Sequence, residues 1–356
     1  MIYMKRKVYV NLEKSTYCIR IENNSLDSIG KKIKKVYQCK KAIIITDENV
    51  NNYYTGRLES SLFKNDFDVD TIVIEPGEMS KSLDSLPKIY NRLIDFEVTR
   101  NDLLIALGGG VVGDICGFVA SSFLRGIPFI QIPTSLLAQV DSSVGGKVGI
   151  NLERGKNLVG SFYHPKAVFI DPLVLNTLPD KYYKDGMAEV IKYGCIKDKN
   201  FFYKLKSLKN RNDITDNIDD IIYRCCSIKK KMVESDERDL NERMILNFGH
   251  TLGHAIEKYY NFEKYTHGEA VAIGMYNIAL LGERKGLTKD GTSDEIKDIL
   301  IEQGLAYKLD VSLKSLMEFI KNDKKNIGST LKVVLLKEIG ESFIYDTTLD
   351  FFEEEI

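Results

Sequence analysis

Three of the chain's four histidines, His250, His254 and His267, fall in one short stretch of its second half. In Asn247-Phe-Gly-His250-Thr-Leu-Gly-His254 two imidazoles stand at i and i+4, which places them on one face of a helix. His267 comes after a short connection, directly before Gly268-Glu269. Imidazoles with a carboxylate are the usual ligand set of a catalytic zinc that keeps one position open for water or substrate. No H-E-x-x-H is present, so a zincin peptidase is disfavoured and the carboxylate must come from elsewhere. Glu189, in Gly186-Met-Ala-Glu189-Val-Ile-Lys192, is the best candidate because its small neighbours would let a cation approach. The cluster reads as metal-binding or catalytic.

Two glycine clusters suggest anion chemistry. Gly108-x-Gly110-x-x-Gly113 comes directly after the apolar run Leu103–Leu107 and precedes a helical segment beginning near Asp114. In that setting backbone N–H groups can approach a pyrophosphate, and the helix N-terminus favours its charge. A tight structural turn is the other reading. Asp47, at the end of Lys41-Ala-Ile-Ile-Ile-Thr-Asp47, is either an acceptor for ribose hydroxyls or an N-cap or turn residue in Thr46-Asp47-Glu48-Asn49. The second cluster, Asp141-Ser-Ser-Val-Gly-Gly-Lys147 with Gly155-Lys156-Asn157, is not a Walker A loop. Its two lysines and amide suit a phosphate monoester, or are solvated surface groups.

The elements that would position these residues change in character along the chain. Up to about residue 180, β-branched runs closed by Gly, Pro or Asp alternate with helical stretches. One such stretch repeats Leu86, Ile89, Leu93 and Ile94 at helical spacing. Alternating strands and helices predict an α/β Rossmann-like domain with a mostly parallel sheet over residues 1–180. Residues 181–356 read as mostly α-helical, with LKVVLLKEIG as an edge strand near the end. With 50 Lys+Arg against 51 Asp+Glu, the formal charge of -1 gives no global reason to bind nucleic acid or an anionic membrane. No apolar run reaches the roughly 18 residues of a membrane span, and no secretory signal is evident, so a cytoplasmic protein is expected. Six cysteines without a C-x-x-C read as reduced structural thiols.

The ordered blocks PGEMSKS, GGGVVGDICGFVASSFLRG, IPTSLLAQVDSSVGGKVGINLERGKNLVGSFYHP, GMAEVIKYG, SDERD, LNFGHTLGHAIE, HGEAVAIGM and DKKNIG together resemble the 3-dehydroquinate synthases, within the sugar-phosphate cyclases. The resemblance implies an NAD site of Asp47, Asn49, Glu78, Lys81, Gly109, Gly110, Val111, Asp114, Thr134, Ser135, Leu137, Asp141, Lys147, Thr177 and Leu178. It places metal ligands on Glu189, His250 and His267, for Zn2+ or Co2+, and makes His254 a substrate contact. Phosphate contacts fall on Lys147, Asn157, Asn247 and Lys324, with Arg125 reaching in from the neighbouring subunit of a homodimer. Lys229 and Arg243 map to a substrate carboxylate, and Asp141, Lys156 and Lys192 to hydroxyls.

The implied reaction explains why one site would need all these parts. In 3-deoxy-D-arabino-heptulosonate 7-phosphate the proton beside the phosphate-bearing carbon is not acidic. Oxidation of the C5 hydroxyl by NAD, assisted by the metal, makes it so, and phosphate can leave. Return of the hydride, ring opening and an intramolecular aldol step then close the carbocycle. A cyclase of the 2-deoxy-scyllo-inosose synthase kind is the nearest rival, and its substrate has no carboxylate for Lys229 and Arg243. A metal-dependent polyol dehydrogenase and a non-catalytic nucleotide-binding protein are the more distant ones.

Overall fold

The computed structural model describes residues 5–321 and 330–353. The chain forms two compact units, one running to Leu178 and including Lys229–Arg238, the other comprising Pro179–Ile228 and the residues from Asp239 onward. The helix Ile218–Ser235 therefore contributes to both.

The described residues of the first unit form nine strands: β1 (Arg6–Asn11), β2 (Thr16–Ile21), β3 (Lys41–Asp47), β4 (Asp68–Ile74), β5 (Leu103–Gly108), β6 (Phe129–Pro133), β7 (Lys147–Leu152), β8 (Gly155–Phe162) and β9 (Ala167–Ile170). Seven form one sheet in the order β1-β2-β9-β6-β5-β3-β4. Only the β1–β2 pair is antiparallel, and β7 with β8 makes a separate hairpin. The sheet is thus the expected parallel one with an antiparallel edge. Alternation divides the core: Ile43, Ile45, Leu104 and Ala106 face one side, Ala42, Ile44, Leu103, Ile105 and Leu107 the other. Helices Ser85–Asp95 and Gly110–Ser122 cover the first face, and helices Ile29–Val36 and Gly56–Phe63 the second. Leu86, Ile89 and Leu93 point into that core, but Ile94 is 62% exposed. It lies one position past the i, i+3, i+7 stripe, about 100° further round the helix.

The second unit is mainly helical, with Asp180–Lys197, His250–Tyr259 and His267–Arg284 at its centre. The tail strand β10 (Leu331–Glu338) pairs antiparallel with β11 (Glu341–Thr347), a hairpin where a lone edge strand was expected. None of the six cysteines forms a disulfide, and burial pushes the Cys116 and Cys195 thiols up, as inert structural thiols require. Among the described residues no helix is long and apolar enough to cross a membrane.

One buried carboxylate fixes an end of the sheet. Asp171, 3% exposed just after β9, accepts backbone N–H groups from Asn24, Ser25, Leu26 and Leu173 at 2.7–3.2 Å. It ties the turn after β2 to the 3-10 turn Pro172–Thr177. Asp171→Ala would strand these donors and is expected to cost roughly 3 kcal/mol in urea unfolding. Ile94→Ala should stay within about 0.5 kcal/mol of the parent. Equal effects from the two would contradict the anchoring role.

Candidate active site

In a parallel sheet all carboxyl ends lie along one edge, and residues far apart in sequence meet there. Asp47 ends β3, Glu78 and Lys81 come after β4, Gly109, Gly110 and Val111 after β5, Thr134 and Ser135 after β6, and Thr177 and Leu178 after β9. Thr46 is level with Leu107, so Asp47 and Gly108 stand side by side. The chain reverses its direction across the sheet between β3 and β5, and this is the switch point at which doubly wound sheets bind ligands.

The glycine turn is tightly packed, as its structural reading expects. A side chain at Gly108 would strike Val112, so the tight packing is real, while Gly109 and Gly110 lie against the hydroxyls of Ser135 and Ser142. The Thr134 N–H donates to the Gly108 carbonyl at 2.9 Å and holds the ends of β5 and β6 together. Asp47 does cap the short helix Glu48–Val50, accepting the Val50 N–H at 3.1 Å. Burial pushes its carboxyl up, against the opposing effect of the backbone N–H groups of Val50 and Asn49.

Two buried lysines of the first unit, Lys81 and Lys229, are paired. Lys81, 4% exposed, donates to the carboxylate of Asp114 and to the side-chain oxygen of Asn157. Burial raises the Asp114 carboxyl, and Lys81 opposes it. Lys229 donates to the Asp141 carbonyl at 2.6 Å and stands 3.0 Å from its carboxylate. Lys147 is exposed at the start of β7, Lys156 is half-buried on β8, and Leu137 precedes the helical turn bearing Asp141. Arg125 is exposed on a left-handed backbone (φ 67°) beside Leu124 (φ 50°), a pair of strained residues. The fourth histidine, His164, lies 2.9 Å from Glu237, away from the other three in sequence.

In the second unit Glu189, His250 and His267 converge, with one ligand atom of each within 4.8 Å of the others. Glu189 is 1% exposed. Its Oε2 accepts a hydrogen bond from buried Lys192, while Oε1 accepts none from any described residue. That oxygen lies 3.5 Å from His250 Nε2 and 3.9 Å from His267 Nε2. His250 Nδ1 is 3.1 Å from the Phe248 carbonyl and His267 Nδ1 is 3.4 Å from Glu257. In the neutral rings, protonation at Nδ1 would leave both Nε2 lone pairs facing Glu189, the outer-shell arrangement of metal-binding histidines. The donor set therefore fits a divalent cation such as zinc.

Local structure explains the convergence. Gly249 (φ 79°) turns the chain sharply so that His250 begins its helix, and a side chain there would strike Met275. Thr266 and Glu269 form a capping box that starts the next helix at His267. Gly268 packs against the Asp185 backbone with its N–H bonded to the Asp185 carboxylate. His254, one turn beyond His250, has its ring 5.5 Å from that of His250 and lies outside the three-residue group. Arg243 is buried, and Asn247 donates to the Met244 carbonyl. Lys324 lies outside the described residues. Sequence reasoning missed Glu257, although its place three residues after His254 on the same helix was a usable signal. It also passed over the T-x-x-E box that fixes His267 at a helix start.

Comparison with known proteins gives a consistent result. The family descriptions 3-dehydroquinate synthase N-terminal and C-terminal match residues 71–185 and 186–326. The chain is 59% identical over 349 residues to a 3-dehydroquinate synthase of Clostridium botulinum (strain Alaska E43 / Type E3), covering 98% of this chain and 100% of the relative. Among solved structures it resembles a 2-deoxy-scyllo-inosose synthase complexed with carbaglucose-6-phosphate, NAD+ and Co2+ (TM-score 0.85, 26% identity, 97% and 95% of the two chains). A 2-epi-5-epi-valiolone synthase of Streptomyces hygroscopicus subsp. jinggangensis 5008 shares the fold (TM-score 0.85, 22% identity, 96% of each chain).

The electrostatics of the histidines give a test. Burial, then the charges of Lys192, His267 and His254, hold His250 well below the usual imidazole range. Burial opposes charge on His267 as well, but the hydrogen bond to Glu257 and the carboxylates of Glu257, Glu189 and Asp185 outweigh it and raise its pKa to about 9. A cation needs the neutral imidazole, so below that pH its binding must expel the His267 proton. Zn2+ affinity should therefore rise with pH toward about 9, with about one proton released at neutral pH. Calorimetry in buffers of different ionisation enthalpy measures this release, and a pH-independent affinity would contradict the assignment.

Proposed function

The chain belongs to the 3-dehydroquinate synthase family, and on that footing we propose that it converts 3-deoxy-D-arabino-heptulosonate 7-phosphate to 3-dehydroquinate and inorganic phosphate, a step of the shikimate pathway. The proposal includes NAD and a divalent cation, Zn2+ or Co2+, as resident cofactors, a homodimer, and a place in the cytoplasm. The observation that carries it is the buried Glu189 oxygen facing two imidazole Nε2 atoms. The named complex of the inosose synthase, with NAD+ and Co2+, supports the same cofactor pair here.

Bound NAD would supply hydride acceptance and return at C5, and a bound cation would supply Lewis-acid polarisation of the C5 oxygen. The chain's own residues bind and orient. Asp47, Asn49, Glu78, Lys81 and Asp114, with the turn Gly109-Gly110-Val111, hold the dinucleotide along the strand ends, where the N-terminus of helix Gly110–Ser122 favours its pyrophosphate. Thr134, Ser135, Leu137, Thr177 and Leu178 complete that edge, and the Thr177 hydroxyl is fixed 2.6 Å from the hydroxyl of Tyr54. Glu189, His250 and His267 hold the cation, while His254, Lys192, Asp141 and Lys156 contact substrate hydroxyls.

Lys229 and Arg243 bind the substrate carboxylate. Arg243 is buried, and the planar fork of a guanidinium suits a carboxylate, the group that an inosose-type substrate lacks. Lys147, Asn157, Asn247 and Lys324 hold the phosphate, together with the partner subunit's Arg125. A phosphate dianion held by these groups can accept the neighbouring proton itself, so no dedicated protein base is required.

Purified protein given the heptulosonate phosphate, catalytic NAD and Zn2+ is expected to release one phosphate per dehydroquinate, at many turnovers per NAD and with no net NADH. Phosphate release and absorbance at the NADH band read this directly. Stoichiometric NADH would make the chain a dehydrogenase, and turnover of a carboxylate-free sugar phosphate in place of the heptulosonate phosphate would make it another cyclase.

A further inference from the structure

The hairpin of β7 and β8 is regular from Lys147 opposite Phe162 to Ile150 opposite Val159, after which the register shifts before Leu152 pairs with Gly155. Asn151 stands at that irregularity. A bulge releases a residue from the ladder and re-aims its side chain, and such bulges gather beside functional sites. Three polar groups of Asn151 turn to residues already assigned to the site. Its backbone N–H donates to the Lys81 carbonyl at 2.8 Å. Its side-chain Nδ2 donates to Glu78 Oε1 at 2.7 Å, and its Oδ1 accepts the Asn157 N–H at 2.9 Å.

Asn157 is itself in the left-handed region (φ 55°), and its side-chain oxygen accepts from Lys81 Nζ. A closed ring results: Asn151 holds the Lys81 backbone, Lys81 holds the Asn157 side chain, and the Asn157 backbone returns to Asn151. We propose that Asn151 is a positioning residue that locks the turn Glu78–Lys81 to the β7–β8 hairpin, fixing the Glu78 carboxylate and the Asn157 amide in their ligand-facing places. The role needs an amide, because one small side chain must donate to a carboxylate and accept from a backbone N–H at once. Aspartate can accept but cannot donate to Glu78, and alanine can do neither. The inference rests on the assignment of Glu78 and Lys81 to the dinucleotide site.

The test is calorimetric NAD binding to the whole protein, with thermal unfolding as a check on folding. Asn151→Ala should bind NAD about tenfold more weakly than the parent, the effect of one lost hydrogen bond to a charged group. Asn151→Asp should be weaker still near pH 8, where two carboxylates face each other. In a Glu78→Gln background the added Asn151→Asp change should cost nothing further, since the glutamine amide can donate to the new carboxylate. This rescue separates a specific contact from a general loss of fold. Parent-like NAD binding by Asn151→Ala, or an equal loss from Asn151→Asp in both backgrounds, would overturn the inference alone. Failure of the parent protein to bind NAD would remove the dinucleotide reading and this inference with it.

Discussion

A carboxylate buried to 1% exposure, with one oxygen that accepts no hydrogen bond from any described residue, is the constraint around which the second unit is organised. An uncompensated buried charge is too costly to persist, so its surroundings must supply positive charge. Lys192, one turn along the same helix, satisfies one oxygen and leaves the other to the two imidazoles. The remaining local features serve that arrangement: the left-handed Gly249 starts the His250 helix, the Thr266–Glu269 capping box starts the His267 helix, and the Phe248 carbonyl and Glu257 set the ring orientations. A divalent cation is the group that completes such a set with least rearrangement.

The first unit solves a related problem by pairing. Lys81 is shared between Asp114 and Asn157, and Lys229 is held by Asp141. Buried ammonium groups kept in place by internal partners are pre-organised, which lowers the entropy lost when an anionic ligand is bound. The parallel sheet supplies the common edge on which these groups meet, because successive strands end at one level whatever their separation in sequence.

Much of this was legible in the residues. The β-branched runs from Lys41 to Ile170 marked the parallel strands, since strands buried on both faces carry continuous apolar sequence. The histidine cluster and Glu189 stood out because imidazoles are so few in this chain. What stayed hidden depends on contacts that local pattern does not encode. Ile94 continues the apolar stripe in composition but falls outside its arc. Strand β11 is mixed in polarity, with intermediate burial that blurs the alternation. Of the two readings of Asp47, the helix cap is the one its contacts display. Asn151 was invisible because a bulge is a fault in register, and register belongs to the pair of strands rather than to either one.

On the proposed reading, the Glu189 oxygen and the two facing Nε2 atoms hold one cation, with His254 outside its coordination. Zinc-edge X-ray absorption on the loaded protein counts imidazole ligands directly. Two imidazoles with oxygen donors making up the remainder, unchanged in His254→Ala, is the result expected. Three imidazoles in the parent chain, or the loss of one on replacing His254, would contradict it.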